Sequence, residues 1–197
     1  MKESSFEQAV QAYAIECEAI MATKAVLDKE AFAKAVGLLA KAERIATVGC
    51  GHSGFACMHF AHLLCCIERP ARFLSPAEAI HGGSGFLQCG DVLVWASRGG
   101  KTDELFPILE IAQKKGAHIL GVTENTASPL AAQSDVALAL SIPREADKYD
   151  TQGTASFAAT NIVFDTLAVA LLNETGFQTE QFALTHPGGA VGKRLNG

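Results

Sequence analysis

Two short loops of the sequence combine glycine with hydroxyl side chains. One is GCGHSG at positions 49–54 and the other is SRGGKT at positions 97–102, and each follows an apolar run. Glycine lets the backbone turn closely around a ligand, and free amides at a helix start attract an anion. The second loop predicts a compact phosphate site, with Arg98 and Lys101 adding positive charge. The alternative for this loop alone is a tight turn in which Thr102 caps the next helix.

The first loop also matches the pattern G-x-G-x-x-G of dinucleotide-binding sites. Such a site needs an acidic side chain at the end of the second strand, about twenty residues on, to hold the ribose hydroxyls. The corresponding run ends in Ser75 and Pro76, and the nearby Glu68 precedes it. A nucleotide-dependent oxidoreductase is therefore the weaker alternative, and we expect no cofactor.

Hydrophobic periodicity places both loops in an alternating α/β chain. Residues 1–42 form two predicted helices before any strand, and a long apolar helix is predicted over Thr154–Thr175, with a short amphipathic piece at Thr179–Leu184. The predicted strands are Ile45–Val48, Arg72–Leu74, Val92–Trp95, Ile119–Thr123 and Val136–Leu140. We therefore expect a three-layer α/β/α sandwich with a five-stranded parallel sheet and two extra N-terminal helices, in one domain over residues 1–197.

The composition restricts the partners. The formal net charge is -5 and no block of Lys or Arg occurs, so we expect no nucleic acid as partner. The N-terminus lacks the apolar core of a signal peptide, and no apolar run is expected to approach the roughly 18 residues of a membrane span. We therefore expect no membrane partner and a cytoplasmic location.

The six cysteines have neither the paired spacing of a zinc site nor the density of a disulfide scaffold. They are Cys17, Cys50, Cys57, Cys65, Cys66 and Cys89. We expect them to be reduced and mostly buried, and we predict no metal site.

From about residue 40 to 194 the sequence resembles the sugar isomerase (SIS) domain, and most closely the arabinose 5-phosphate isomerases of that superfamily. The stretches that carry the resemblance are VGCGHSG, SPAEAIHGGSG, ASRGGKTDE, PREAD, DTLAVALL and, most specifically, FALTHPGGAVGKRL. The resemblance implies a flavodoxin-like SIS fold, aldose–ketose isomerisation of a phosphosugar, and a homotetramer with sites at subunit contacts. Long members of the family continue into paired CBS domains, which we do not expect here.

Several positions depart from the family pattern. His52 stands where the family normally has lysine, Gly99 replaces a serine, and Lys101 replaces a glutamate. A neutral imidazole carries charge only part of the time, whereas lysine brings a permanent cation. We therefore expect a phosphosugar substrate whose identity the departures leave open.

Aldose–ketose isomerisation requires a phosphate anchor, a group that opens the sugar ring, and a base that moves a proton between adjacent carbons. The resemblance implies acid/base or substrate-binding roles for Glu104, Glu145, His81 and His186. The predicted substrate- and phosphate-binding residues are Gly51, His52, Ser53, Ser97, Gly99, Gly100, Lys101 and Thr102.

The residues themselves support these roles in part. Glu145 lies in a strand-end loop, where a carboxylate partly desolvated by a bound sugar can act as a base, but a solvated glutamate paired with Arg144 is the alternative. Glu104 lies near a helix start, where the macrodipole favours an acid in any case. His81 and His186 lie in glycine-flanked loops, and histidine suits proton transfer near pH 7.

Two functions remain open from the sequence. The first is a phosphosugar isomerase, and the second is a sensor that binds a phosphosugar without converting it. Sensors of this superfamily carry a DNA-binding helix-turn-helix domain, whereas the N-terminal helices here are too few and lack a basic face. The presence of both glutamates and both histidines favours the enzyme.

Overall fold

A five-stranded parallel sheet forms the centre of the computed structural model, which describes all residues Met1–Gly197. Its strands are β1 (Ile45–Gly49), β2 (Ala71–Phe73), β3 (Val92–Ala96), β4 (His118–Thr123) and β5 (Val136–Ala139). They lie in the order β2-β1-β3-β4-β5, which is the flavodoxin-like order. The predicted fold class is confirmed, and the predicted strand ends match to within one residue.

Helices cover both faces of the sheet, and further helices lie at both ends of the chain. They are α1 (Glu3–Ala25), α2 (Lys29–Lys41), α3 (Gly51–Cys66), α4 (Pro76–Ile80), α5 (Phe106–Lys115), α6 (Ala155–Thr175), α7 (Thr179–Thr185) and α8 (Gly189–Asn196). Short 3-10 turns lie at Gly83–Phe86, Asp103–Leu105 and Ala131–Gln133. Helices α4 and α8 lie outside the predicted elements, because α4 has a single turn and α8 lies in a glycine-rich segment of low helix propensity.

Successive side chains of the central strands point to opposite faces of the sheet. Val92 and Val94 belong to a cluster of 28 buried residues that includes α1, α2, α3 and α6. Leu93 and Trp95 belong to a second cluster of 15 residues that includes α4 and α5. Because both faces are covered, β1 and β3 are buried at every position, as is typical of a parallel sheet in three layers.

Helix α6 has the length and apolar composition of a membrane span, so the expectation that no segment approaches that length was wrong. It packs against α1, α2 and α3, and eight of its 21 residues are buried. A helix surrounded by other helices is apolar around most of its circumference. We therefore interpret α6 as the core helix of its layer.

The packing of α3 against α6 positions the functional loops. The rings of Phe60 and Phe164 stack with centroids 4.4 Å apart. Since each helix follows a strand of a parallel sheet, the two helices start at the same edge, where the strands have their carboxyl ends. The loops that precede α3 and α6 therefore lie on the same side of the molecule.

Helices α7 and α8 form a C-terminal arm at the opposite edge. Gln181 Nε2 donates to Glu68 Oε2, just after α3, at 2.5 Å. Phe182 lines a cleft with Ile67 and Leu172, near the ends of α3 and α6. With a rise of about 1.5 Å per residue, α6 is roughly 30 Å long. The C-terminal arm thus starts far from the carboxyl edge of the sheet.

Candidate active site

The loop after β1 holds the start of α3 against the sheet. A Cβ atom on Gly54 would lie 2.6 Å from the carbonyl oxygen of Gly49, so this close approach requires glycine. No side chain caps α3, which leaves the first-turn amides of Gly51, His52 and Ser53 without a capping partner. This helix start is suited to an anion.

The loop after β3 presents two hydroxyls and several free amides. Ser97 Oγ and Thr102 Oγ1 are 2.8 Å apart, and the Gly100 amide donates to Ser97 Oγ at 3.1 Å. The amides of Gly99, Lys101 and Thr102 donate to no acceptor in the chain. The paired hydroxyls satisfy each other here, and both are available to a ligand that replaces this contact.

These two loops meet at one point of the sheet. Gly49 at the end of β1 pairs with Ala96 at the end of β3. Helix α3 packs on one face of the sheet and α5 on the other, so the chain leaves the two strands in opposite directions and opens a crevice between them. Ligands of open α/β sheets bind in such a crevice.

Glu145, in the loop after β5, is buried, with only 2% of its side chain exposed. Its Oε1 accepts from Arg98 Nη1 at 2.7 Å. Its Oε2 accepts from the Thr154 amide at 3.0 Å, the Thr154 hydroxyl at 3.2 Å and the Ser156 amide at 3.1 Å. The carboxylate therefore accepts hydrogen bonds at the start of α6 and pairs with Arg98, whereas Arg144 is exposed and does not contact it.

The loop around Glu145 is ordered by two aspartates. Asp150 Oδ1 accepts from the Glu145 amide at 2.6 Å. The Asp147 carboxylate accepts from the amides of Gln152, Thr151 and Tyr149, and these hydrogen bonds, that of Gln152 first, hold the pKa of Asp147 below its ordinary value. The backbone that carries Glu145 is thus fixed by local contacts.

Arg98 links Glu145 to a second carboxylate. Its Nε donates to Glu124 Oε2 at 2.9 Å, after β4. Burial alone would lower the pKa of Arg98, but Glu124, with smaller contributions from Glu145 and Asp150, raises it above its ordinary value. Arg98 therefore joins the loops after β3, β4 and β5 through one guanidinium group.

His52 joins the loop after β1 to the start of α6. Its ring lies edge-on to Phe157 with centroids 6.2 Å apart. A Cβ atom on Gly153 would lie 2.9 Å from the His52 ring, so the glycine leaves room for the imidazole. The position that differs from the family lysine therefore lies between two helix starts, beside the crevice.

Glu104 lies in a cleft of about 440 Å³ between the ends of β1, β2 and β3. Gly51, Cys50 and Ser75 contribute to its polar lining, and Phe55 to its apolar lining. Burial, and then the charge of Glu104, raise the pKa of the Cys50 thiol. Glu104 is exposed and makes no side-chain hydrogen bond, so its carboxylate is free to meet a ligand.

The two predicted histidines lie apart from the buried carboxylate. His81 ends α4 and is exposed, one turn from the cleft-lining Ala77. His186 ends α7 in the C-terminal arm, where its ring stacks on Phe182 with centroids 3.9 Å apart. Its Nδ1 is buried without a hydrogen-bond partner. Because the C-terminal arm lies near the ends of α3 and α6, His186 is far from the glycine loops of its own chain.

The structure brings most of the predicted site residues together at the carboxyl edge of the sheet. Those at this edge are Gly51, His52, Ser53, Ser97, Gly99, Gly100, Lys101, Thr102, Glu104 and Glu145. Sequence reasoning missed the Glu124 partner of Arg98 and the contribution of Thr154 and Phe157. In the sequence, the only indication of a role for Thr154 was the presence of hydroxyl side chains at the start of the long apolar helix.

The expectation that the cysteines are mostly buried was wrong. All six are free, and only Cys57 is fully buried. Cys50 and Cys66 are half-buried, while the others lie on the surface. The exposed cysteines lie on outward helix faces or in a loop, positions that apolar content alone does not reveal. No group of three or more His, Cys, Asp or Glu side chains has the arrangement of a metal site.

The SIS domain family matches residues 38–170, and the chain belongs to this family. Arabinose 5-phosphate isomerase KdsD of Pseudomonas aeruginosa is 39% identical over 158 residues, which are 80% of this chain and 48% of that protein. The chain spans about half the length of the curated relatives that it matches.

Solved structures share the whole fold. A crystal structure from Listeria monocytogenes has a TM-score of 0.91 and 36% identity, with 95% of this chain and 100% of that chain covered. The c3406 protein of E. coli CFT073, solved in complex with a phosphosugar, has a TM-score of 0.85 and 25% identity over 95% of this chain and 100% of that chain. The similarity therefore extends beyond the matched family segment.

Replacement of Gly100 by alanine should damage the loop after β3. Gly100 has a φ of 63°, and an added Cβ would collide with the Ser128 hydroxyl. We expect Gly100→Ala to lower the free energy of unfolding by about 1–3 kcal/mol and to weaken phosphate binding. Gly99→Ala is the matched control, because nothing lies within 4 Å of its added Cβ. Urea unfolding and calorimetry with inorganic phosphate measure both effects, and equal behaviour of the two variants would contradict this account of the loop.

Proposed function

We propose that this SIS protein is a phosphosugar aldose–ketose isomerase, with arabinose 5-phosphate and ribulose 5-phosphate as the favoured substrate pair. The observation that carries the proposal is the loop after β3, which presents the Ser97 and Thr102 hydroxyls and free amides and holds the Glu145 carboxylate through Arg98. The identity to a curated arabinose 5-phosphate isomerase supports the substrate pair. Gly51, Ser53 and Lys101 complete the proposed binding surface.

The reaction is an internal redox change that needs no external oxidant. A base removes the proton from C2 of the open aldose, and the electron pair of the broken C2–H bond forms the enediol. The proton is returned to C1, while the hydroxyl proton on O2 passes to O1 through an acid/base group. C1 is thereby reduced by two electrons and C2 oxidised by two, so one carboxylate and one proton carrier suffice.

Glu145 is the proposed base and His186 the proposed group for ring opening. The start of α6 keeps Glu145 in position through three hydrogen bonds. The unpartnered Nδ1 of His186 leaves that ring nitrogen without a structural role. Glu104 is the alternative base, because it is exposed at the same edge, and His81 is the alternative proton carrier.

The location of His186 supports a site shared between chains. The C-terminal arm starts about the length of α6 away from Glu145, so His186 reaches a glycine-loop site only in a neighbouring copy. Phe55, Met58 and Val169 are exposed apolar side chains on α3 and α6, and a second copy would cover them. We propose a homotetramer with sites at its subunit contacts, located in the cytoplasm.

Thr102 should act as a direct ligand of the phosphate group. Thr102→Val keeps the side-chain shape but removes a hydroxyl donor, and no side-chain cap is lost because Thr102 makes none. A hydrogen bond to a charged group is worth about 1.5–3 kcal/mol, so KM for the phosphosugar should rise roughly tenfold to a hundredfold. Thr102→Ser should restore most of the affinity. An unchanged KM in Thr102→Val would place the anchor elsewhere.

Removal of the proposed base should slow both turnover and exchange of the C2 hydrogen. We expect Glu145→Gln to lower kcat by about 10² to 10⁴ and to slow exchange of the C2 hydrogen with heavy water by a similar factor. Glu104→Gln, measured in parallel, identifies the alternative base. Exchange at the wild-type rate in Glu145→Gln moves the role to Glu104 or His81. A wild-type protein that binds phosphosugars but exchanges no C2 hydrogen supports the sensor instead.

Mixed oligomers test whether the site is shared. Glu145→Gln and His186→Asn should each be inactive alone. If one chain supplies Glu145 and another supplies His186, randomly mixed oligomers should regain about a quarter of the wild-type sites. A site within one chain gives no recovery, because every chain then lacks one residue. Turnover after co-expression, with light scattering to establish the oligomer, decides between these results.

A further inference from the structure

Arg98 occupies an unusual position, because it belongs to the loop after β3 yet its guanidinium group contacts neither the Ser97 nor the Thr102 hydroxyl. It pairs with Glu145 Oε1 and Glu124 Oε2 instead. One cation thus serves two carboxylates, and Asp150 adds a third negative charge nearby. A phosphate dianion that binds beside Ser97 therefore competes with these carboxylates for the guanidinium group.

We propose that Arg98 is a positioning residue that holds Glu145 in the ligand-free protein and transfers its guanidinium to the substrate's phosphate group, which releases Glu145 for proton transfer. This inference rests on the proposed function. It assigns the order of events: phosphate binding precedes the availability of the base.

Arg98 is the partner of Glu145 Oε1 before this transfer. Oε2 receives three hydrogen bonds, from Thr154 and Ser156, whereas Oε1 receives the one from Arg98 alone. With 2% of its side chain exposed, Glu145 gives a C–H proton no access to Oε1 while Arg98 is in place. Departure of Arg98 would free Oε1 while the start of α6 still holds Oε2.

The contacts of Arg98 allow its side chain to move while its backbone stays fixed. Its carbonyl oxygen accepts from the Thr123 hydroxyl and from the Glu124 amide, both at 3.0 Å. Its side chain is 39% exposed, in contrast to that of Glu145. The planar guanidinium group matches two phosphate oxygens at once, so a dianion competes well against a single carboxylate oxygen.

Glu124 would retain its contact with Arg98 during the transfer. Its Oε1 accepts from the Ile142 amide at 3.1 Å, which fixes the carboxylate between β4 and the chain after β5. The bond to Arg98 Nε therefore acts as a pivot, and the Nη1 end is the part that changes partner. The alternative is a permanent clamp, in which Arg98 only joins the loops and never contacts substrate.

Affinity for inorganic phosphate separates the transfer from the clamp. We expect Arg98→Gln to weaken phosphate binding about tenfold or more, because a charge-assisted contact is lost, and Arg98→Lys to recover part of it. Arg144→Gln is the matched control, since this neighbouring arginine is exposed and does not contact Glu145. Unchanged phosphate affinity in Arg98→Gln overturns the transfer.

A double-mutant cycle gives the sharper readout. We expect Glu145→Gln to bind phosphate severalfold more tightly than wild type, because the competing carboxylate is gone, and this gain should vanish when Arg98→Gln is also present. The permanent clamp predicts no gain. If Glu145→Gln fails to fold, the Arg98 variants alone decide.

The kinetic profile tests the order of events. In Arg98→Gln the KM for the phosphosugar should rise about tenfold or more, because a phosphate contact is lost, while kcat should change little, since Arg98 has already left Glu145 in the complex. A fall in kcat with an unchanged KM overturns the transfer, whereas a wild-type protein that isomerises no sugar phosphate contradicts the proposed function.

Discussion

The arrangement of the site depends on the hydrogen bonds that the buried Glu145 carboxylate accepts. Transfer of a carboxylate out of water costs several kcal/mol, and that cost is offset only when its oxygens receive well-placed donors. Arg98, Thr154 and Ser156 supply them, from the loop after β3 and the start of α6. Because these donors come from distant parts of the chain, the carboxylate holds the loop after β3 against the start of α6.

The sheet and the glycine loops could be predicted because their causes are local. Apolar runs such as Val92–Ala96 are buried on both faces, and that pattern is visible in the sequence itself. Gly49 and Gly54 have a fixed spacing that reflects one close contact between a strand and the following helix. Such features need no knowledge of which distant residue will lie beside them.

The partner of Glu145 could not be predicted because it depends on strand order. Arg144 is adjacent in sequence, but Arg98 is adjacent in space, since parallel pairing brings the ends of β3, β4 and β5 to one edge. The exposure of the cysteines was misjudged for a related reason. A residue type indicates average burial, whereas helix face and neighbouring elements decide it for each position.

The C-terminal motif lies far from the crevice of its own chain. His186 lies in the most distinctive stretch of the sequence, yet it stands in an arm at the opposite edge of the sheet from the crevice. Its ring stacks on Phe182, and its Nδ1 has no partner, so the arm orients the ring without using that nitrogen. A motif on a short arm with little contact to its own core is the arrangement that the proposed shared site requires. The crevice of one chain and the arm of another would then be two halves of a single catalytic unit.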